Sequence, residues 1–256
     1  MYEAYIFDLD GTIYLGDALL PGAADLITRI RAAGRRTLFL SNNPTRTRLQ
    51  YAEKLTALGI PTPIDDIVNS SFVMVEWLLR EAPGARVFVV GEPALCDEVQ
   101  AAGFAFAETA DTTDIVIASF DRTFAYWKLQ RAFDAIRAGA RLVATNADRY
   151  CPVPGGGQPD AAAVIAAIEA CTGTRCDTVV GKPSPIMVDT IRALLGVAPE
   201  RCVVVGDRLE TDIAMGVAAG MDTALVLTGA STPADLERSP VQPTFVLQRI
   251  DELLKY

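Results

Sequence analysis

The sequence contains no histidine. That absence excludes Ser-His-Asp and Cys-His catalysis, histidine-ligated zinc or haem, and phosphohistidine chemistry, since each relies on an imidazole that titrates near neutral pH. Acid–base work must fall to carboxylates, lysine, tyrosine or cysteine. Cysteine is sparse as well: Cys96, Cys151, Cys171, Cys176 and Cys202 are odd in number and form no Cys-x-x-Cys pair. This pattern reads as reduced thiols in a cytoplasmic protein. Basic runs are missing too. With 23 basic against 32 acidic side chains and a formal charge of −9, nucleic acid and anionic membrane are not expected as main partners. A small anionic substrate is not excluded, because local fields override net charge. Long apolar runs are also absent: the longest charge-free stretch, residues 223–234, is too short to span a bilayer. The N-terminal Met1-Tyr2-Glu3-Ala4 enters a strand-like Tyr5-Ile6-Phe7 without a basic stretch, so export is not expected.

What is present is a 256-residue chain, half of it apolar, enough for one large or two modest domains. Short apolar runs alternate with helical stretches, the signature of βαβ units around a mostly parallel sheet. Strands are expected at residues 4–8, 36–41, 67–69, 86–90, 104–107, 114–118, 141–145, 178–180, 202–205, 223–227 and 245–246. Helices are expected at 23–33, 45–58, 71–81, 94–102, 125–138, 161–171, 185–195 and 211–219, with a terminal helix beyond. Pro83-Gly84 marks a boundary. Residues 146–160, with three prolines and Gly155-Gly156-Gly157, read as an irregular loop, either a linker or a binding loop.

Four polar clusters fall at the carboxyl ends of predicted strands, where open α/β sheets bind ligands. The first is Asp8-Leu9-Asp10-Gly11-Thr12. A lone strand-end aspartate usually caps a turn. Two carboxylates one residue apart can divide labour instead, one ionised to attack or bind metal and the other protonated to donate. The second, Ser41-Asn42-Asn43, offers a hydroxyl, amides and helix-start N–H groups to phosphate oxygens, against the simpler reading of a helix N-cap. The third is Gly181-Lys182-Pro183, where a lysine could neutralise developing charge or be a plain surface cation. A phosphate-binding P-loop is disfavoured there, since it would need glycine at Cys176 and Ser or Thr at Pro183. The fourth, Gly206-Asp207-Arg208-Leu209-Glu210-Thr211-Asp212, places two carboxylates where a hard cation could sit against Asp8. An acidic helix N-terminus explains Asp212 but leaves Asp207 unexplained.

The order DxDGT, strand-end Ser, strand-end Lys, GDxxxxD resembles the four motifs of the haloacid dehalogenase (HAD) superfamily. Asp8–Tyr14, the run Leu40-Ser41-Asn42-Asn43-Pro44-Thr45 and the run Val180-Gly181-Lys182-Pro183-Ser184-Pro185 are similar to its subclass IIA, the NagD and p-nitrophenyl phosphatase branch. The resemblance implies a Rossmann-like α/β core at residues 1–82 and 178–256, interrupted by an α/β cap of the C2 type at 83–177. It implies a Mg2+-dependent phosphatase acting on a small phosphomonoester. Asp8 would be the nucleophile, and Asp10 the general acid and then base. Asp8, Asp207 and the backbone carbonyl of Asp10 would hold Mg2+. Ser41, Asn42, Asn43 and Lys182 would bind the phosphoryl oxygens, with Thr12 and Asp212 in support, Asp212 orienting Lys182 or metal-bound water. Arg149 and Tyr150 of the loop would meet the leaving group, or be solvated loop residues. A homodimer through the cap is a further implication, as is a cytoplasmic location. Relatives that act on pyridoxal phosphate carry a cap histidine without counterpart here. A dehalogenase needs neither Asp10 nor Asp207. A phosphomutase or phosphotransferase, and a non-catalytic regulatory module on the same scaffold, are the alternatives.

Overall fold

The computed structural model describes residues 2–153 and 155–256; Met1 and Pro154, one of the prolines of the irregular loop, lie outside the described residues. The chain forms two compact units. The first takes the chain up to Ser41, then Arg48–Val68 and Lys182–Tyr256; the second takes Asn42–Thr47 and Asn69–Gly181. The first unit begins with β1 (Ala4–Asp8), a short hairpin of β2 (Tyr14–Leu15) and β3 (Ala18–Leu19), then β4 (Arg36–Ser41) and β5 (Ile67–Asn69). The second contributes β6 (Val87–Val90), β7 (Ile115–Ala118), β8 (Arg141–Ala144), an antiparallel hairpin of β9 (Tyr150–Val153) and β10 (Gly156–Pro159), and β11 (Thr178–Val179). The chain returns to the first unit for β12 (Cys202–Gly206), β13 (Asp222–Val226) and β14 (Phe245–Leu247).

The larger sheet has the order β14-β13-β12-β1-β4-β5. β1 pairs in parallel with β12 on one side and β4 on the other. Strand order therefore reverses between β12 and β1, the kind of switch point at whose carboxyl ends open α/β sheets bind ligands. Every residue of β12 is buried, as expected of a central parallel strand covered on both faces and written as an unbroken apolar run. Phe7, Phe39, Val203, Val205, Leu26, Ile27 and Tyr51 belong to its core. The second unit's sheet runs β11-β8-β7-β6 in parallel, in plain chain order. It has no such reversal, and its core gathers Val116, Ala118, Leu142, Ala132, Ile136 and Ile168.

Several elements differ from expectation for identifiable reasons. The units divide beside Val68 and Lys182, rather than at 82 and 178. Helix Ser70–Glu81, started by the Asn69 side chain accepting the Phe72 N–H at 2.8 Å, packs on helix Pro93–Ala101, and β11 extends the second sheet. The helix expected from residue 45 begins at Arg48. Asn43 Oδ1 accepts both Thr45 N–H (2.9 Å) and Thr45 Oγ1 (2.7 Å), which holds residues 42–47 in a turn. Residues 104–107 supply only a single bridge, Phe106 to Val87, and no strand. The supposedly irregular loop contains the β9–β10 hairpin. The helix expected at 211–219 opens with a wide turn at Leu209–Ile213 before Ala214–Ala218, and the terminal helix is a 3-10 segment, Ile250–Lys255.

Within the second unit, Lys128 is buried with Nζ 2.6 Å from Asp121 Oδ2, 2.9 Å from Thr123 Oγ1 and 3.3 Å from Gly91 O. Replacing Asp121 by alanine strands that ammonium in the interior. The expected cost is about 3–5 kcal/mol, read as a lowered thermal midpoint, and Asp121→Leu combined with Lys128→Met should recover most of it.

Candidate active site

Asp8 is the last residue of β1, in register with Leu40 of β4. Asp207 follows β12 directly, at the neighbouring strand tip. Lys182 opens the segment that leads to helix Pro185–Leu195. Its Nζ lies 2.5 Å from Asp8 Oδ1 and 2.7 Å from Asp212 Oδ1, and the whole side chain is buried. Asp212 spends its other oxygen on the Arg208 N–H at 3.2 Å. Local sequence makes this possible. A Cβ on Gly206 would collide with the Asp212 side chain, so glycine at the end of β12 is what lets that carboxylate fold back to the lysine. The wide turn at Leu209–Ile213 delivers it.

One oxygen from each of Asp8, Asp207 and Asp212 falls within 4.8 Å of the others. Three carboxylates face one ammonium, so the cluster carries excess negative charge when all are ionised. Burial would pull the Lys182 ammonium down, but Asp212 and Asp8 outweigh it and hold its pKa above the ordinary lysine value. Burial raises Asp8 well above the usual carboxylate range, with Asp212 and Asp207 adding to the rise and Lys182 opposing it. Asp207 is pushed up to about 6, first by burial and then by Asp212, against the Ala230 N–H that stabilises its anion.

These features fit a divalent cation. Asp207 Oδ1 is buried without a hydrogen-bond partner, while Oδ2 accepts the Ala230 N–H at 2.5 Å. An all-oxygen donor set with an unmet negative charge suits a hard ion such as Mg2+, and such an ion would reverse the upward shifts of Asp8 and Asp207.

The remaining residues singled out from sequence are distributed as follows. Asp10 is exposed and its backbone bridges to Tyr14. Thr12 is fully buried, with no partner for its hydroxyl. Ser41 ends β4, buried, and donates to Tyr51 Oη at 3.2 Å. Asn42 and Asn43 belong to the second unit. There Asn42 Nδ2 donates to Asp148 Oδ2 at 2.9 Å, and Asn146 Nδ2 donates to the same oxygen at 2.8 Å. Arg149 and Tyr150 are exposed at the start of the hairpin, the Tyr150 ring lying over Gly157. Sequence reasoning missed the loop after β13. Thr228 Oγ1 donates to Gly11 O at 2.6 Å, Ala230 N–H reaches Asp207, and Ser231 N–H donates to Asp207 O at 3.0 Å. Its only sequence signal was membership of the charge-free run 223–234.

Fold and site together define the class: a Rossmann-like α/β protein with an aspartate–lysine centre at the strand tips of its switch point. Residues 5–105 match the haloacid dehalogenase-like hydrolase family and residues 179–253 a second HAD-hydrolase-like family. The chain is 38% identical over 250 residues to the sugar-phosphatase AraL of Bacillus subtilis, across 98% of this chain and 91% of that protein. It is 32% identical to an acid sugar phosphatase of Staphylococcus saprophyticus, across 99% and 97%. The structure of a 4-nitrophenylphosphatase from Thermotoga maritima superposes with a TM-score of 0.95 at 39% identity, covering 100% and 97% of the two chains. A p-nitrophenyl phosphatase from Archaeoglobus fulgidus gives 0.93 at 31% identity, covering 99% and 98%. The chain belongs to the haloacid dehalogenase-like hydrolases, in their NagD and p-nitrophenyl phosphatase branch. Among the described residues no helix is long and apolar enough to cross a membrane.

A raised carboxylate pKa in the folded state means that the native protein binds more protons than the unfolded chain between the two pKa values. Stability of the cation-free protein should therefore fall as pH rises from about 4 to about 6. Asp207→Asn removes this penalty. In EDTA the variant should melt several degrees above the parent at pH 7 and close to it near pH 4. Equal midpoints at pH 7 would contradict the assigned cause.

Proposed function

We propose that this enzyme is a Mg2+-dependent phosphatase that hydrolyses small phosphomonoesters, sugar phosphates foremost, through an aspartyl-phosphate on Asp8. The observation that carries the reading is the buried Asp8–Lys182–Asp212 cluster beside Asp207 and its unpartnered oxygen, at the tips of β1 and β12. The names of the sugar phosphatase relatives support the substrate class.

An Asp8 carboxylate oxygen attacks phosphorus, and the bond from phosphorus to the leaving oxygen breaks. Asp10 gives its proton to the departing alkoxide. Water then attacks the phosphorus of the aspartyl-phosphate and passes a proton to Asp10; the bond to Asp8 breaks, releasing phosphate and restoring both carboxyl groups. The exposure of Asp10 suits a group that must reach leaving group and solvent in turn. Lys182 neutralises charge on the phosphoryl oxygens and is kept protonated by Asp212. Ser41, Asn42 and Asn43 bind the remaining phosphoryl oxygens, with Thr12 in support. Asp8, Asp207 and the Asp10 carbonyl would hold Mg2+, whose charge would offset the negative charge that otherwise repels a phosphate dianion. Arg149 and Tyr150, exposed at the start of the β9–β10 hairpin, would meet a polar leaving group, and the second unit would serve as the cap. Their charge and ring suit hydrogen bonding and stacking.

The test is p-nitrophenyl phosphate hydrolysis with and without Mg2+. Wild type should depend on the ion, Asp8→Asn should fall to background, and Asp10→Asn should lose about 10²–10⁴-fold in kcat. Phosphate release by Asp8→Asn at the wild-type rate would sink the mechanism. A panel of sugar phosphates, glycerol phosphate and nucleoside monophosphates then ranks the leaving groups.

A further inference from the structure

The carboxylate of Asp207 lies between two glycines contributed by distant parts of the chain. On one side is Gly11, at φ +86°, where a Cβ would fall 2.6 Å from Asp207 Oδ2. On the other is Gly229, whose Cβ would drive into the same side chain. Gly229 does not have a left-handed backbone, so an alanine there is acceptable to the main chain. Glycine is required at that point by the space Asp207 occupies.

Four hydrogen bonds fix the loop that carries Gly229. The Ala230 N–H caps Asp207 Oδ2 at 2.5 Å. The Ser231 N–H holds the Asp207 main-chain oxygen at 3.0 Å, while Ser231 Oγ accepts the Leu209 N–H at 3.2 Å, so the loop holds the chain at Asp207 and two residues beyond it. Thr228 Oγ1 donates to Gly11 O at 2.6 Å and ties the loop to the turn that follows Asp8 and Asp10. The consequence is an asymmetric carboxylate: Oδ2 is anchored and crowded, and Oδ1 is buried with no partner.

We propose that the loop of residues 228–231, through Thr228, Gly229 and Ala230, is a positioning clasp that aims Asp207 Oδ1 at the divalent cation. It also locks Asp207 to the turn after the nucleophile. The inference rests on the cation reading above. Gly229 and Ala230 act directly on Asp207, and Thr228 acts through Gly11 on its other side. Groups that orient a metal-binding carboxylate typically change metal affinity about 10–100-fold when removed, and the loss of a single tie to Gly11 belongs at the low end.

The experiment measures binding of Mn2+ alone, from the electron paramagnetic resonance of the free ion, on wild type, Gly229→Ala, Thr228→Val and Thr228→Ser, alongside the Mg2+ concentration that half-activates p-nitrophenyl phosphate hydrolysis. Gly229→Ala should weaken Mn2+ binding about tenfold or more. Thr228→Val should weaken it by a smaller factor, and Thr228→Ser, which keeps the hydroxyl, should restore it. At saturating Mg2+ the KM of Thr228→Val should match wild type, a split that general loss of structure would not produce. Wild type that binds Mn2+ alongside Gly229→Ala and Thr228→Val of equal affinity overturns the clasp alone. Wild type that does not bind Mn2+ overturns the cation reading and the clasp with it. If circular dichroism shows Gly229→Ala unfolded, the Thr228 pair decides.

Discussion

Lys182 places an ammonium group in the interior of the first unit, and the surrounding structure has to keep it charged. Removing such an ion from water costs several kcal/mol. That cost is met only because Asp8 and Asp212 lie within hydrogen-bond distance of its Nζ. Those carboxylates come from different elements, one from the end of β1 and the other from the turn after β12. They meet because β1 and β12 are adjacent and parallel. The strand order is thus a condition for the charge cluster. Adding Asp207 to the same tip leaves the cluster with more anions than cations, and the upward shifts of Asp8 and Asp207 express their burial first and that imbalance second. A site built this way stores a demand for positive charge, which a divalent cation can satisfy.

Space is the second constraint, and it follows from the first. Four ionisable side chains can share one strand edge only where backbone approaches closely, and glycines mark each approach. Gly206 admits Asp212 and Gly11 admits Asp207; Gly229 lies on the far side of the same carboxylate. Gly11 and Gly206 stand in the sequence motifs, but Gly229 goes unremarked, because nothing local distinguishes a glycine that makes room from one that makes a turn.

The legibility of the chain divides along similar lines. The strands around the site were readable because central parallel strands are buried on both faces, so Tyr5-Ile6-Phe7 and Cys202-Val203-Val204-Val205 stand out as apolar runs ending in polar clusters. The hairpin at β9–β10 was not, since Pro152, Pro159 and three glycines mimic a loop and its residues are largely exposed, leaving no alternation to detect. The start of the helix at Arg48 was obscured because Asn43 captures Thr45 through its side chain, a choice that propensity does not reveal. Helix Pro233–Arg238 went unread although its capping box, Thr232 with Asp235, was present in the sequence.

By itself the sequence determined the chemical vocabulary of this protein. Without histidine, acid–base work was left to carboxylates, lysine, tyrosine or cysteine, and the polar clusters that hold Asp8, Asp10, Lys182, Asp207 and Asp212 follow apolar runs that read as strands. Both conclusions are local: they need only residue type and the nearest few neighbours. Tertiary structure alone decided how the oxygens are allotted. It gave Asp212 to Lys182 and Arg208, anchored one oxygen of Asp207 to Ala230 and left the other unpartnered, and brought residues 228–231 against Gly11. Those contacts join segments separated by up to some two hundred positions, and only the order of the parallel strands brings them together.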